Sequence, residues 1–210
     1  MNGSTVIWEV LARTKREVVT SLDLADLASR LGRKREHVAR HLRRGGYLLP
    51  LFKGYYYVRS PEEVRLGEER RNPLELFALA ACAKGIGSWY FGLHTALRLN
   101  GMTHEDRREE TVISDSFYRI RGVPIGRRRF VIHKWATGLL AFGLLERGPY
   151  RYSDPEKTVL DLAYLDWRRR KGRTESRAWT DHINLVDERR LRRYLVRYPA
   201  AVRAAVEAIL

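Results

Sequence analysis

Residues 23–58 read DLADLASRLGRKREHVARHLRRGGYLLPLFKGYYYV, and this stretch decides the fold. Leu24, Leu27, Ala28 and Leu31 stand at i, i+3, i+4 and i+7, a spacing that gathers four apolar side chains on one helix face. Gly32 ends that helix. A second helix is expected from Lys34 to Arg44. There Val38 and Leu42, one turn apart, pack down and leave Arg35, His37, Arg40, His41 and Arg44 facing outward. The following fourteen-residue run from Gly45 to Val58 holds two apolar and aromatic segments hinged near Lys53 and Gly54, the pattern of a β-hairpin. Helix, turn, basic helix and hairpin in that order predict a winged helix-turn-helix. Such a module lays its second helix in the major groove of DNA and rests its wing on the backbone.

Upstream of this stretch, Ser4 is placed to cap a helix reaching Arg13, with Val6, Ile7, Val10 and Leu11 as its apolar face. Glu17–Ser21 is rich in β-branched residues and predicts a short strand pairing with the wing, after which Ser21 or Asp23 caps the next helix. The winged domain is thus expected over residues 1–60. Residues 61–72 are charged and poor in apolar side chains, which marks a linker or a charged connecting helix.

Residues 73–210 are expected to form an α+β domain. Pro73 suits a first helical turn and leads into Leu74, Leu76, Phe77, Leu79 and Ala80. Ser88 is the expected cap of a helix from Trp89 to Asn100, stopped by Gly101. Between Glu110 and Phe142 three strand-like runs appear, around Thr111–Ser114, Arg128–Lys134 and Leu139–Phe142, with Gly122, Pro124 and Gly126 in a turn. Ser153 or Asp154, then Pro155 and Glu156, open a core helix carrying Val159, Leu160, Leu162 and Ala163. Two closing helices follow. Leu191, Tyr194, Leu195 and Tyr198 share a face of one, and Val202, Ala205, Val206 and Ile209 a face of the other, with Pro199 between them.

The 210 residues amount to 24.5 kDa, enough for one large or two small domains with a true core. A formal charge of +15 favours a polyanionic partner, because each cation set on a phosphate releases condensed counterions. Cys82 is the only cysteine, so neither an intramolecular disulfide nor a thiolate metal site is expected, and its apolar surroundings suggest a small buried side chain. No secretory or membrane-spanning pattern is present, so a cytoplasmic location without a membrane partner is expected.

The basic helix and its flanks supply the candidate DNA-binding residues: Arg33, Lys34, Arg35, His37, Arg40, His41, Arg43 and Arg44, with Lys53 and Tyr55 on the wing. Guanidinium groups either read guanine edges in pairs or grip phosphates. The run Arg168–Arg173 is either a second electrostatic contact or an exposed loop. His37 and His41 have the four-residue spacing of helical zinc pairs but lack the accompanying glutamate and a third ligand nearby. Asp154, Glu156 and Asp161 form the densest acidic group, and helix capping accounts for their positions. No nucleophile elbow or phosphate-binding loop occurs, so no enzyme activity, metal or cofactor is expected.

Three segments resemble the AbiEi family, antitoxins of type IV abortive-infection toxin–antitoxin systems. They are the helix-to-wing passage from His41 to Val58, the Tyr90–Thr103 segment with its Tyr-x-Gly-x-x-x-Ala-Leu pattern, and Ser153–Leu162 with Asp-Pro-Glu-Lys-Thr-x-x-Asp. Lys157 stands where that family more often has arginine, and Met102 where it has leucine. The resemblance implies a winged-helix DNA-binding domain joined to an α+β antitoxin domain. It also implies autorepression through promoter inverted repeats, and opposition to a co-transcribed nucleotidyltransferase toxin without necessarily binding it. A dimer on DNA fits that picture. The alternatives are a stand-alone winged-helix regulator without a toxin and a nucleic-acid-processing enzyme that uses the basic surface.

Overall fold

The structure, a computed structural model, describes residues 3–14, 16–30, 32–170 and 179–210. It is a mixed α+β fold that divides into two compact units, Met1–Ile86 with Val123–Arg129, and Gly87–Gly122 with Phe130–Leu210.

The first unit begins with α1 (Gly3–Arg13), β1 (Val18–Thr20), α2 (Ser21–Arg30), α3 (Arg35–Arg44), β2 (Leu48–Pro50) and β3 (Tyr55–Val58). The three strands form an antiparallel sheet in the order β1-β3-β2, with Val19 opposite Tyr56 and Leu49 opposite Tyr57. One core joins helices and sheet: Ile7, Leu11, Val19, Leu24, Ala28, Val38, Leu42, Leu48 and Val58 are all buried in it. The expected face of α1 is shifted. Val10 is exposed while Trp8 is buried, because the Trp8 ring packs 4.6 Å from that of Tyr47 and its Nε1–H donates to the Arg59 carbonyl at 2.9 Å.

The charged stretch after the sheet is ordered by one carboxylate. Helix α4 (Pro61–Leu66) opens with a capping box between Ser60 and Glu63. Glu63 is buried and accepts from the Ser60 and Arg70 amides and from the Tyr57 hydroxyl, each at 2.7 Å. Burial alone would raise the Glu63 carboxyl, but these donors together hold it below its ordinary value. Helix α5 (Pro73–Lys84) is capped by Asn72 and Glu75 in the same way. Its apolar residues surround it, with Leu74, Leu76, Phe77, Ala78, Ala80 and Ala81 all buried, and it packs on β1 and β3. The first unit therefore runs to Ile86 rather than ending within 61–72, since a helix apolar all round cannot be left at a boundary. Cys82 departs from expectation and is exposed.

The second unit carries α6 (Leu93–Leu99), α7 (Pro155–Arg170), α8 (Glu188–Leu195) and α9 (Ala200–Glu207). Its strands are β4 (Trp89–Phe91), β5 (Glu109–Ser114), β6 (Arg119–Ile125), β7 (Arg128–Lys134), β8 (Leu144–Arg147) and β9 (Tyr150–Ser153). They form one sheet in the order β6-β7-β5-β4-β9-β8, and the tip of the β6–β7 hairpin, Val123–Arg129, belongs to the first unit. Three expectations are corrected here. Trp89–Phe91 is a strand rather than the start of a helix, because it pairs on both sides, antiparallel with β5 and parallel with β9. Helix α6 starts only after Gly92, where a Cβ would lie 2.9 Å from Ile113 Cγ1. Gly122 and Pro124 lie in β6 rather than in a turn, and Leu139–Phe142 is not a strand, since Thr137–Leu139 is a short 3-10 helix.

At the N-terminus of α7, Asp154 accepts from the Lys157 amide at 2.8 Å and Glu156 accepts from the Asp187 amide at 3.0 Å. Asp161 has a different role. It forms a fully buried pair with Lys157 at 3.1 Å, and the hydroxyls of Tyr90 and Tyr198 donate to it at 2.7 and 2.6 Å. The Lys157 Nζ also donates to the Leu139 carbonyl at 2.7 Å and lies 4.4 Å from the Phe142 ring centroid. Burial pushes the ammonium down and the Asp161 carboxyl up, while the attraction between them opposes both shifts. Replacing Asp161 by Asn leaves the Lys157 charge without its counter-charge. The expected loss is about 3–5 kcal/mol in denaturant unfolding, and Lys157→Met added to it is expected to cost less than the sum of the single changes.

A second titratable group supplies a pH dependence. His133 on β7 is buried, and burial together with the Arg169 and Arg168 charges pushes it down to about 4. A histidine depressed in the folded state binds fewer protons there than in the unfolded chain. Its contribution is therefore complete above the ordinary histidine value and is lost as pH falls from about 6.5 toward 4. Unfolding midpoints measured across that window are expected to fall less steeply in His133→Asn than in the parent chain.

Candidate nucleic-acid interface

The candidate interface is built on two successive helices whose ends are fixed by short-range hydrogen bonds. Helix α2 is capped by Thr20, not by Ser21 or Asp23. The Thr20 amide and hydroxyl both donate to Asp23 Oδ2 at 2.7 Å, and the Asp23 amide donates back to Thr20 Oγ1 at 3.1 Å. Those bonds, assisted by Arg16, hold the Asp23 carboxyl below its ordinary value.

At the other end of α2, the amides of Gly32 and Arg33 donate to the Ser29 and Ala28 carbonyls at 3.0 and 2.8 Å. This is the paired pattern of a Schellman end, and Gly32 takes the left-handed conformation it needs, with φ of +61°. Helix α3 ends in the same way: the Gly46 and Tyr47 amides donate to Arg43 and Leu42, with Gly46 at φ +74°. Gly45 is required for a different reason, because a Cβ there would lie 2.5 Å from the Tyr47 ring.

Between these two ends α3 is held by Val38 and Leu42, 1% and 0% exposed. At 100° per residue the opposite face comprises Glu36, His37, Arg40, Arg43 and Arg44, and all five are exposed. Arg33 and Lys34 are exposed in the turn before it. Lys34 is the N-cap residue in extended conformation and makes no side-chain capping bond. Arg35 starts the helix, but its side chain lies outside the described residues, as does Leu31. His41, expected outward, is half-buried at the flank, because at 100° per residue it lies only about 60° round the helix from the buried Val38.

The β2–β3 hairpin turns through Leu51–Gly54. Leu51 and Phe52 are buried, and Phe52 meets Phe77 edge-on with centroids 5.5 Å apart, which leaves Lys53 as the exposed tip. The Gly54 carbonyl accepts from the Ser21 amide at 2.8 Å, so the hairpin is tied to the start of α2. Tyr55 is half-buried with the Lys84 ammonium 5.4 Å from its ring centroid. Lys84 escaped the sequence reading because it lies 29 residues away at the end of α5, with no local signal linking it to the hairpin. Glu36, a carboxylate inside a basic run, also sits on the cationic face. A cleft of about 230 Å³ beside it is lined by Ser21, Leu24, Glu36, Ala39 and Tyr56.

The chemistry of this surface is that of a rigid helix presenting arginines over a small apolar base. Arginine keeps its charge at any physiological pH and offers paired donors that match phosphate oxygens or the guanine edge. In the second unit, Arg168 and Arg169 are exposed, and Arg168 donates to the Lys134 carbonyl at 3.2 Å. The remainder of the basic run, residues 171–173, lies outside the described residues.

No protein-family model matches the chain, and no curated protein matches it. Among solved structures it is similar to that of the Rv2827c protein from Mycobacterium tuberculosis, with 19% identity and a TM-score of 0.59. The match covers 95% of this chain and 74% of that one. At this identity the likeness concerns the fold alone.

The turn can be tested without touching its charges. A Cβ added at Gly32 would meet nothing within 4 Å, so Gly32→Ala is expected to cost only the left-handed backbone term, about 1–2 kcal/mol. Thermal or urea unfolding of the variant checks this.

Proposed function

We propose that the chain is a sequence-specific DNA-binding repressor whose first unit is a winged helix-turn-helix. In this reading α3 enters the major groove, and Arg33 and Lys34 grip the flanking phosphates. Arg40 and Arg44 face base edges, and Lys53 on the hairpin rests on the backbone. The single observation that carries the reading is the outward face of α3. It concentrates His37, Arg40, Arg43 and Arg44 over a helix held from below by Val38 and Leu42. Two protomers on the half-sites of an inverted repeat would block a promoter.

The resemblance to AbiEi antitoxins extends the proposal. The operon repressed is then the chain's own, and the protein counteracts a nucleotidyltransferase toxin encoded beside it. A nucleotidyltransferase gene next door, whose toxicity the chain relieves on co-expression, separates this reading from that of a stand-alone regulator.

The decisive experiment compares binding to the gene's own upstream DNA with binding to scrambled DNA at one physiological salt concentration. The parent chain is expected to prefer the upstream segment. Arg40→Ala is expected to weaken that binding by about 1–3 kcal/mol while changing the scrambled affinity far less. Equal weak binding to both sequences by the parent chain would sink specific repression.

A further inference from the structure

Helices α8 and α9 border a cleft of about 310 Å³ that the core of the second unit leaves open. Leu195, Val196, Ala200 and Ala204 line it, with Arg192, Arg203 and Glu207 at its edges. Val196 is 67% exposed although it caps α8 directly after the buried Leu195. One and two turns back along the same face stand Arg193 and Arg189, both exposed.

Two of the nearby acids are already engaged. Glu188 pairs with Arg192 at 2.8 Å and Glu156 with Arg190 at 3.6 Å. Arg189 and Arg193 thus lack counter-charges among the described residues, and Glu207 is the one carboxylate lining the cleft.

We propose that this cleft is a docking surface for an acidic amphipathic helix of a protein partner. Such a helix would set aliphatic side chains on Val196, Ala200 and Ala204 and its carboxylates against Arg189, Arg193 and Arg203. This goes beyond the DNA-binding reading of the first unit and does not depend on it. Charge complementarity selects an acidic partner. The lining selects protein over single-stranded nucleic acid, because bases are held by stacking on aromatic faces and every apolar residue lining this cleft is aliphatic. An aliphatic floor beside fixed charges is the arrangement that receives an amphipathic helix.

The test uses the full chain and a fluorescein-labelled, 14-residue stapled helix with leucines at i, i+3 and i+7 and glutamates elsewhere, read by anisotropy. Its counterpart with lysine in place of glutamate, and a 12-nucleotide single strand, serve as controls. The acidic helix is expected to bind with an affinity that falls as salt is raised, and the lysine helix not to bind. Val196→Glu and Ala204→Glu, both at exposed positions, are each expected to weaken binding at least about tenfold. Unchanged thermal unfolding in either variant shows that the fold is kept. Absence of binding by the acidic helix, binding that both variants leave unchanged, or loss of oligonucleotide rather than peptide binding in the variants would each overturn the proposal.

Discussion

The burial of Val38 and Leu42 is the constraint from which the first unit follows. A ten-residue helix with four arginines has little reason to fold alone, since neighbouring like charges repel and isolated helices of this length are marginal in water. Two apolar side chains one turn apart decide the matter. They enter the core shared by Ile7, Leu11, Leu24 and Leu48, and removing them from water contributes about 1.5–3 kcal/mol each. Once they are seated, rotation of α3 about its axis is fixed, and the outward direction of Arg40 follows from helix geometry alone. The left-handed glycines at 32 and 46 then set where the helix begins and ends, so the cationic face has a defined length as well as a defined direction.

The local periodicities in this unit were readable because each element meets its environment on one side. The i, i+4 spacing of Val38 and Leu42 states which side of α3 is buried. Where elements are enclosed on several sides, that signal disappears. Trp89–Phe91 looks like part of a helix because it is continuous with the helical spacing of Leu93, Ala96 and Leu97, and only its two neighbouring strands make it β. Helix α5 is apolar all round and says nothing about which unit owns it. Lys157 and Asp161 have the spacing of a solvated helical ion pair, which in sequence is indistinguishable from a buried one. The difference comes from Tyr90, Phe142 and Tyr198, up to 71 residues away. Capping was legible as a motif but not to the residue, since Thr20, Ser21 and Asp23 all carry suitable oxygens and only the hydrogen bonds choose among them.

The distribution of acids explains why so basic a chain can fold. Many of its carboxylates serve internal tasks: Glu63 gathers three donors, Glu17 holds Arg71 in two hydrogen bonds of 2.9 Å, and Glu110 accepts from Thr95 and Arg98. Each such carboxylate stabilises a junction between elements, and Glu63 and Glu110 are thereby withdrawn from the surface. The excess of arginine is consequently concentrated outside, where the +15 charge creates a field that attracts polyanions before any specific contact forms. Solvation and counterions make that excess tolerable in the free protein, and in the proposed complex a phosphate backbone would replace those counterions.

A field of this kind does not distinguish one anion from another; shape must do so. On α3 the cations stand on a convex helix with the apolar residues hidden beneath, a surface suited to a groove that already carries its own charge and hydrogen-bonding edges. Along α8 and α9 the cations border a concave, aliphatic floor with Val196 left in water. There the gain on binding includes apolar burial, which a phosphate backbone cannot supply. Salt should therefore separate the two surfaces. In the proposed DNA-binding reading, association on α3 would be dominated by counterion release and would fall steeply with ionic strength, whereas a partner seated on Val196 would keep the part of its affinity that comes from water leaving the cleft.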